Sequence, residues 1–499
     1  MGNVNEQLYT IPINDQGLNL YLRIGDNNVS FGYDEAVTFL MPVTKIVKND
    51  NGIEVYLFDR KCFSIENGNV IKSINHITAT ELRNIGMMLR NADKDNYLEN
   101  EARFSRSGLM ISESVKTELH THLIEILDSD KFLDFIERFN GIILLTSDGN
   151  IDFKNGTPYT VSQIRLIPNL YKKVKSQLEI PVDRVGNFEE LELKVKNRTR
   201  LLLNVSSQVG SATGLGDSEE AKVLVTKVLL HDSLVYLRDS GVKYVEVSHS
   251  NVKLINRILE GLDEEFFNHI SGINFRFLFS SSRLKSAKDF RQCARNLESA
   301  LELQSVVGFD IMGLESKFGE DDLNPNAKNS LYRKLSPIVL TLSRYQNTVL
   351  RLHSGEFADT EENTEHLLEI IGLIEKDNQI TLPPPEIRIG HGLHITKNPR
   401  LVELLKKYNC VVEINASSNF ALSNVDNLKQ IPYQFYLDNG IRVVLSTDGG
   451  GFYSTSSEQE RYIAQTFIGA DGLERLIYMD DAIYREKVGG VVDVKKSGR

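Results

Sequence analysis

The amino-acid sequence predicts an α/β protein: a (β/α)8 TIM-type barrel preceded by a small β-rich N-terminal domain. Three observations carry this prediction. Eight short apolar runs recur between residues 118 and 446, amphipathic helical patterns fill most of the gaps between them, and polar groups of metal-binding type stand just past several of the runs. Strands that alternate with helices build a parallel sheet, and a closed parallel sheet gathers its functional groups at the C-terminal strand ends.

The bulk properties bound the answer. With 499 residues, 41% of them hydrophobic, the chain is long enough for two or three cores. Lys and Arg total 57 against 68 Asp and Glu, and the net charge of -11 argues against a general binder of phosphate backbones, so no nucleic-acid partner is expected. Met1 to Glu6 shows no basic segment ahead of an apolar run, and no long uncharged apolar stretch follows, which points to a cytoplasmic protein without membrane contact. Cys62, Cys293 and Cys410 are far apart, odd in number and free of any Cys-x-x-Cys pair, so they read as reduced core residues. The polar end, Lys495 to Arg499, reads as a tail.

Taken in order, residues 1–105 form the β-rich domain, whose role the sequence leaves open. Its clearest runs are Leu20 to Ile24, Val29 to Tyr33 and Val55 to Phe58, and Asn49-Asp50-Asn51-Gly52 is a hairpin turn. Leu82, Ile85, Met88 and Leu89 predict a helix over 79–95, and the polar stretch to about 105 marks the boundary. Residues 106–490 then form the barrel. Its opening strand is 118–122, followed by a helical insertion at about 124–218, including an excursion at Leu144 to Asn150, long enough to cover the mouth of a site. Gly210, Gly214 and Gly216 suggest a phosphate loop, but neither GxxxxGK[ST] nor GxGxxG spacing is met, and Asp217 or Ser218 reads better as the N-cap of a helix over 219–238. Seven more strands follow, at 243–247, 274–279, 305–310, 348–352, 386–390, 410–414 and 442–446, with helices such as 284–302 and 326–345 between them.

The chemistry begins at Glu118-Leu119-His120-Thr121-His122. Alternate side chains of a strand share a face, so His120 and His122 aim two imidazoles at one point, half of a tetrahedral zinc site. Alone, the pair is as well explained by two histidines satisfied by hydrogen bonds. Strand five, however, runs into His353-Ser354-Gly355-Glu356, strand six into His391-Gly392, and strand eight into Thr447-Asp448-Gly449. Each of these has an ordinary explanation as a loop or turn residue. Together they supply, from four strands, the nitrogen and oxygen ligands and the proton-transfer groups that a hydrolytic zinc centre needs.

These motifs resemble those of the adenosine deaminase and AMP deaminase family of metal-dependent amidohydrolases. The likeness runs over roughly residues 115–480 and rests on five stretches: Thr117 to Leu123, Gly308 to Glu315, His353 to Glu356, Arg388 to Gly392 and Leu445 to Asp448. The resemblance implies that His120, His122, His353 and Asp448 hold a catalytic Zn2+, that His391 orients a water and accepts its proton, and that Glu356 gives a proton to purine N1. It further implies that the backbone N–H of Gly313 approaches the purine, with Glu315 as a more distant contact in the same loop. Three departures stand out. The family's second aspartate after strand eight, which contacts purine N7, is replaced by Gly449. Leu123 leads into Ile124 and Glu125 where a small residue is usual. The segment Glu413 to Asn419 lacks the usual Cys-Pro.

The reading that follows is a zinc-dependent hydrolytic deaminase acting on adenosine, deoxyadenosine, AMP, dAMP or ATP, with a small-molecule purine as its partner and a homo-oligomer left open. Arg276, Arg283, Lys285 and Lys317 are the cations placed to meet a phosphate. Two alternatives stand beside it: a catalytically silent nucleotide-binding barrel acting as sensor or assembly module, and an amidohydrolase for an N6-substituted purine. Zinc deaminases of the cytidine type are set aside, because no Pro-Cys-x-x-Cys is present.

Overall fold

Runs rich in Val, Ile, Leu and Phe become the strands of a parallel barrel because both of their faces are covered, one by helices and the other by the barrel interior. The computed structural model describes residues 114–489, apart from 181–185, 215–218, 304–305, 381–384 and 426–427, together with eight short strands between residues 7 and 72. The barrel strands are β1 (Lys116–His122), β2 (Val242–His249), β3 (Asn274–Ser282), β4 (Val306–Met312), β5 (Val349–Ser354), β6 (Glu386–His391), β7 (Val411–Ile414) and β8 (Arg442–Leu445). They follow one another in chain order around a single eight-stranded sheet, all parallel. Just past β8 the sheet closes on β1. There Asp448 N donates to the carbonyl of His120 at 3.0 Å, and His122 N donates to the carbonyl of Asp448 at 3.3 Å.

The helices start where the sequence supplies caps. Ser286 accepts from Asp289 N and begins the helix Ala287–Leu301 in a capping box, and Ser330 accepts from Arg333 N to begin Leu331–Leu342. The second of these is shorter than the 326–345 expected, because the Ser330 cap lies four residues inside that window. Leu297, Leu335, Leu368 and Leu404 turn the inner faces of successive helices into the buried layer around the strands.

Between β1 and β2 the chain makes its long excursion. It runs through a helix (Ser129–Arg138), an antiparallel pair of strands (Ile142–Leu145 with Thr157–Thr160), two short helices (Val161–Arg165 and Pro168–Lys175), and then α1 (Phe188–Thr213) and α2 (Glu219–Asp239). The excursion is therefore mixed rather than wholly helical, since Leu144 and Leu145 belong to the strand pair. The glycine-rich run around 210–216 is largely the end of α1, where Gly214 takes the left-handed conformation (φ +76°) of a C-cap. The caps expected at Asp217 and Ser218 lie outside the described residues.

Ahead of the barrel, strands Gln7–Pro12, Asn19–Ile24, Val29–Asp34 and Val37–Leu40 pair as one antiparallel sheet, and Val43–Asn49, Gly52–Leu57, Arg60–Glu66 and Asn69–Lys72 pair as another. Asn49 faces Gly52 across the expected hairpin. The helix expected at 79–95 and the boundary near 105 lie outside the described residues. Cys293 and Cys410 are buried free thiols. Among the described residues no helix is long and apolar enough to cross a membrane.

One glycine shows how closely the strands approach. A Cβ on Gly308 of β4 would lie 2.0 Å from the carbonyl oxygen of Val349 in β5, an overlap with backbone that no rotamer change relieves. Gly308→Ala is expected to cost at least the ~1–3 kcal/mol of ordinary overpacking. Urea unfolding followed by circular dichroism checks it, and an unchanged midpoint would contradict this packing.

Candidate active site

Strand alternation delivers His120 and His122 to one place at the end of β1, with ring centroids 5.8 Å apart. β5 brings His353 to a centroid distance of 4.5 Å from His120 and 5.7 Å from His122. The closure of β8 on β1 then sets Asp448 between them, its Oδ1 3.5 Å from His120 Nε2 and 3.6 Å from His122 Nε2. His120 Nε2 is buried and has no hydrogen-bond partner, while Nδ1 of the same ring is held 2.9 Å from Glu413 Oε2. His120, His122 and Asp448 present ligand atoms within 4.8 Å of one another, and so do His122, Asp310 and His353. An orphaned imidazole nitrogen facing a carboxylate, with two further imidazoles beside it, fits a cation that takes mixed nitrogen and oxygen ligands.

The charges around this cluster favour a cation. Burial opposes charge on His120, yet the carboxylates of Asp448 and Glu413 outweigh it and push the ring up to about 9. Burial pushes His122 down to about 3, and burial with the nearby His120 pushes His391 down to about 4, so both are neutral at pH 7. Gly390 makes room for the His120 ring: a Cβ there would lie 2.7 Å from His120 Cε1. Beneath the cluster lies a fully buried layer of charge. Arg351 Nε sits 2.9 Å from Glu413 Oε2, Arg388 Nη1 lies 3.2 Å from Glu413 Oε1 and 2.7 Å from Glu246 Oε2, and Arg351 Nη1 is 3.4 Å from Asp310 Oδ2. Asp310 in turn approaches His353 Nδ1 at 3.1 Å.

Beside the cluster, His391 Nε2 lies 3.7 Å from Glu356 Oε2, and His391 Nδ1 is 3.2 Å from Asn419 Oδ1 and 3.4 Å from Asn415 Nδ2. Asn424 donates to Glu356 Oε1 at 3.3 Å. Burial, reinforced by Asp448 and Glu315, pushes the Glu356 carboxyl up to about 7. His391 and Asp448 both have left-handed backbones, φ +70° and +65°, which for non-glycine residues cost about 1–3 kcal/mol each and recur at functional strand ends.

The remaining expected residues divide. Gly313 (φ +99°) lines a cavity of about 640 Å3 together with His122, Glu125, His353, Glu356 and Asp448, and α1 covers its mouth with Phe188, Leu191 and Val195. Glu315 does not reach this cavity. It is buried and holds the loop after β5, accepting from Glu356 N at 3.0 Å, Ser354 Oγ at 3.3 Å, Thr360 Oγ1 at 3.2 Å and Asn363 Nδ2 at 2.9 Å. Gly449 is covered by Glu125, whose Oε2 would lie 2.8 Å from a Cβ at 449. None of the four cations expected to meet a phosphate lines the cavity. Arg276 donates to the carbonyl of Phe275 at 2.9 Å, Arg283 donates to the carbonyl of His353, and Lys317 lies 3.6 Å from Glu362 Oε2. The cations that do line it are Lys196 and Arg200 of α1.

Comparison with known proteins meets this geometry from outside. A family profile described as adenosine deaminase matches residues 382–476, the stretch that contains β6, β7, β8, His391 and Asp448. Over this stretch the chain is similar to the adenosine deaminase family. Relatives include an adenosine deaminase of Plasmodium gallinaceum, 28% identical over 216 residues, covering 42% of this chain and 50% of that protein. An adenosine deaminase of Clostridium kluyveri is 22% identical over 295 residues (57% and 75%). An N6-Methyl-AMP deaminase-L of Xenopus laevis is 26% identical over 268 residues (50% and 65%). The chain thus spans from half to three quarters of the length of these adenosine deaminase relatives. His120, His122, His353 and Glu356 lie outside the profile match.

Sequence reasoning gave no role to Asp310, Glu413, Arg351, Arg388 or Glu246, nor to the asparagines at 415, 419 and 424. The signal for the first five was present. Each is a lone charge inside an apolar run, as in Val245-Glu246-Val247 and Ile387-Arg388-Ile389, and a charge at such a position is buried only when paired. Because Gly390 admits the His120 ring, Gly390→Ala is expected to lower any divalent metal retained after dialysis about 10- to 100-fold, the range for disturbed ligand support, while the thermal melt still shows a folded protein. A metal content in Gly390→Ala equal to that of the wild type, measured by atomic absorption, would refute this.

Proposed function

We propose that this chain is a zinc-dependent hydrolytic deaminase that converts an adenine nucleoside or nucleotide to its 6-oxo form with release of ammonia. The observation that carries the reading is the pair Glu356 and His391, an acid pushed up to about 7 and a neutral imidazole 3.7 Å away, set at the edge of the His120, His122, His353 and Asp448 cluster. Those four residues would hold the zinc, which when bound supplies Lewis-acid activation of a water molecule.

The protein's own groups account for the rest. Protonated Glu356 gives its proton to ring N1, which draws electrons from C6 and opens it to attack. His391, oriented by Asn415 and Asn419, accepts a proton as the water oxygen bonds to C6. C6 then carries both oxygen and the exocyclic nitrogen. His391 returns the proton to that nitrogen, the C6–N6 bond breaks to release ammonia, and the C6 hydroxyl gives its proton back to the Glu356 carboxylate, which leaves the 6-oxo ring and restores the acid. Gly313 presents its backbone to the ring from the loop after β4, and Glu315 keeps Glu356 in place through the Glu356 N–H.

A second reading is removal of methylamine from an N6-methylated adenine nucleotide. It is favoured by the Xenopus laevis relative, named as acting on N6-methyl-AMP, and by a cavity of about 640 Å3. Incubating zinc-loaded protein with adenosine, deoxyadenosine, AMP, dAMP, ATP and N6-methyl-AMP, and measuring released ammonia and methylamine, separates the two. No release from any compound would overturn both and favour a silent binding barrel.

Two further outcomes follow from the proton-transfer groups. Glu356→Gln is expected to lower kcat by about 100- to 10,000-fold with substrate binding kept, since it removes the acid without removing its bulk. Because Glu356 must be protonated, kcat/KM is expected to fall as pH rises through about 7. Because His391 must be neutral, it falls again as pH drops through about 4. A pH profile still flat at pH 9 would remove Glu356 from the role of acid.

A further inference from the structure

We propose that Glu125 recognises the imidazole edge of the purine from the space that a side chain at position 449 would otherwise fill. The inference rests on the deaminase reading above, and deepens it by naming the group that fixes the base.

The two sequence departures at 125 and 449 are neighbours in space. A Cβ built on Gly449 would lie 2.7 Å from Glu125 Cβ and 2.8 Å from Glu125 Oε2. The backbone of Gly449 is not in the left-handed region, so conformation does not demand a glycine there. What excludes a side chain is the presence of Glu125. Glu125, in the loop after β1, thus places a carboxyl in the volume at the end of β8 that a side chain at 449 would take.

Glu125 is also presented as a ligand-binding group. It is only 8% exposed and lines the cavity beside His122 and Asp448. Its neighbours are charges and apolar walls, and among the described residues no hydrogen bond ends on its carboxyl. A buried carboxyl without a partner is costly unless something else completes it. The backbone around it is fixed: Phe452 N donates to the Glu125 carbonyl at 3.1 Å, and buried Arg198 donates to the carbonyls of Ile124 at 2.9 Å and Leu127 at 2.7 Å. The backbone that carries this carboxyl is therefore held in place at the cavity wall.

Position selects the atom it meets. β1 and β8 lie across the barrel from β4 and β5, which carry Gly313 and Glu356. In an adenine ring, C6 is flanked by N1 on one side and by C5 with N7 on the other. With N1 turned to Glu356 and C6 to the histidine cluster, N7 faces the wall that carries Glu125. N7 has a lone pair and no hydrogen, so it needs a donor, which a carboxylic acid provides and a side-chain amide also provides. The same residue borders a second cavity of about 390 Å3, lined further by Lys222, Ser248, His249 and Asn251, so it stands where the base would end and any larger substituent would begin.

The test pairs adenosine and AMP with their 7-deaza counterparts, in which N7 is replaced by C–H. It uses the zinc-loaded wild type, Glu125→Ala, Glu125→Gln, Glu125→Gly, and Glu125→Gly combined with Gly449→Asp. The wild type is expected to prefer the parent compound by about 10- to 100-fold in kcat/KM, the value of a buried hydrogen bond to a polar partner. Glu125→Ala is expected to erase that preference, Glu125→Gln to keep part of it, and the double variant, with its carboxyl returned to the end of β8, to regain preference over Glu125→Gly. Calorimetric binding of purine riboside against 7-deazapurine riboside gives the same comparison without turnover, and thermal melts identify any variant that has lost its fold. Preference retained in folded Glu125→Ala overturns the assignment of Glu125 while leaving the deaminase reading standing. A wild type that neither converts nor binds any of these compounds overturns the deaminase reading, and this inference with it.

Discussion

The contact on which the site depends is between His120 Nδ1 and Glu413 Oε2, at 2.9 Å. It fixes which nitrogen of His120 faces the cluster, and it works only because Arg351 and Arg388 hold Glu413 ionised. Burial pushes that carboxyl up, but the Arg351 guanidinium, His120 and Arg388 overcome this and bring it down to about 2. Each guanidinium in turn needs Glu246, Asp310 or Glu386 to be tolerable in a dry barrel. Such a network adds little net stability compared with well-packed apolar side chains, although removing one member costs about 3–5 kcal/mol. Its value here is positional. A chain of charges running from the barrel interior to His120 and His353 leaves neither ring free to turn, which is what ligand support requires.

Barrel closure and site assembly are also a single event. Asp448 donates its N–H to the His120 carbonyl and accepts from His122 N, so the backbone bonds that join β8 to β1 also set the carboxylate between the two imidazoles. A barrel that failed to close would lose Asp448 from the cluster. Folding and cluster formation are coupled through one residue with a left-handed backbone.

The barrel was legible in the sequence because its signals are local: eight apolar runs, serine and asparagine caps, and polar residues just past the strands. The cluster was legible for the same reason, since His120 and His122 are two residues apart and each remaining group ends a recognisable run. What escaped depends on distance through space. Glu315 reads as a loop residue near a ligand, yet its four hydrogen-bond partners lie some forty or more positions away, so it serves the loop rather than the cavity. Gly390 looks like any strand glycine until the ring of His120 is seen beside it. The cations chosen for a phosphate came from strand ends, whereas Lys196 and Arg200 sit on α1, whose docking over the mouth no local pattern reveals.

Arg198 gives the covering helix a consequence of its own. Its guanidinium is fully buried between the rings of Phe132 and Phe452, 4.8 and 4.9 Å from their centroids, and ties α1 to the carbonyls of the loop that carries Glu125. Roof and wall are thus one rigid piece. A ligand entering such a chamber loses little free energy to ordering the protein, but it must arrive already shaped to fit, because the wall does not adapt to it. Selectivity in this chain would then be exercised at entry, by rejection of poorly matching molecules, rather than by remodelling around whichever molecule arrives.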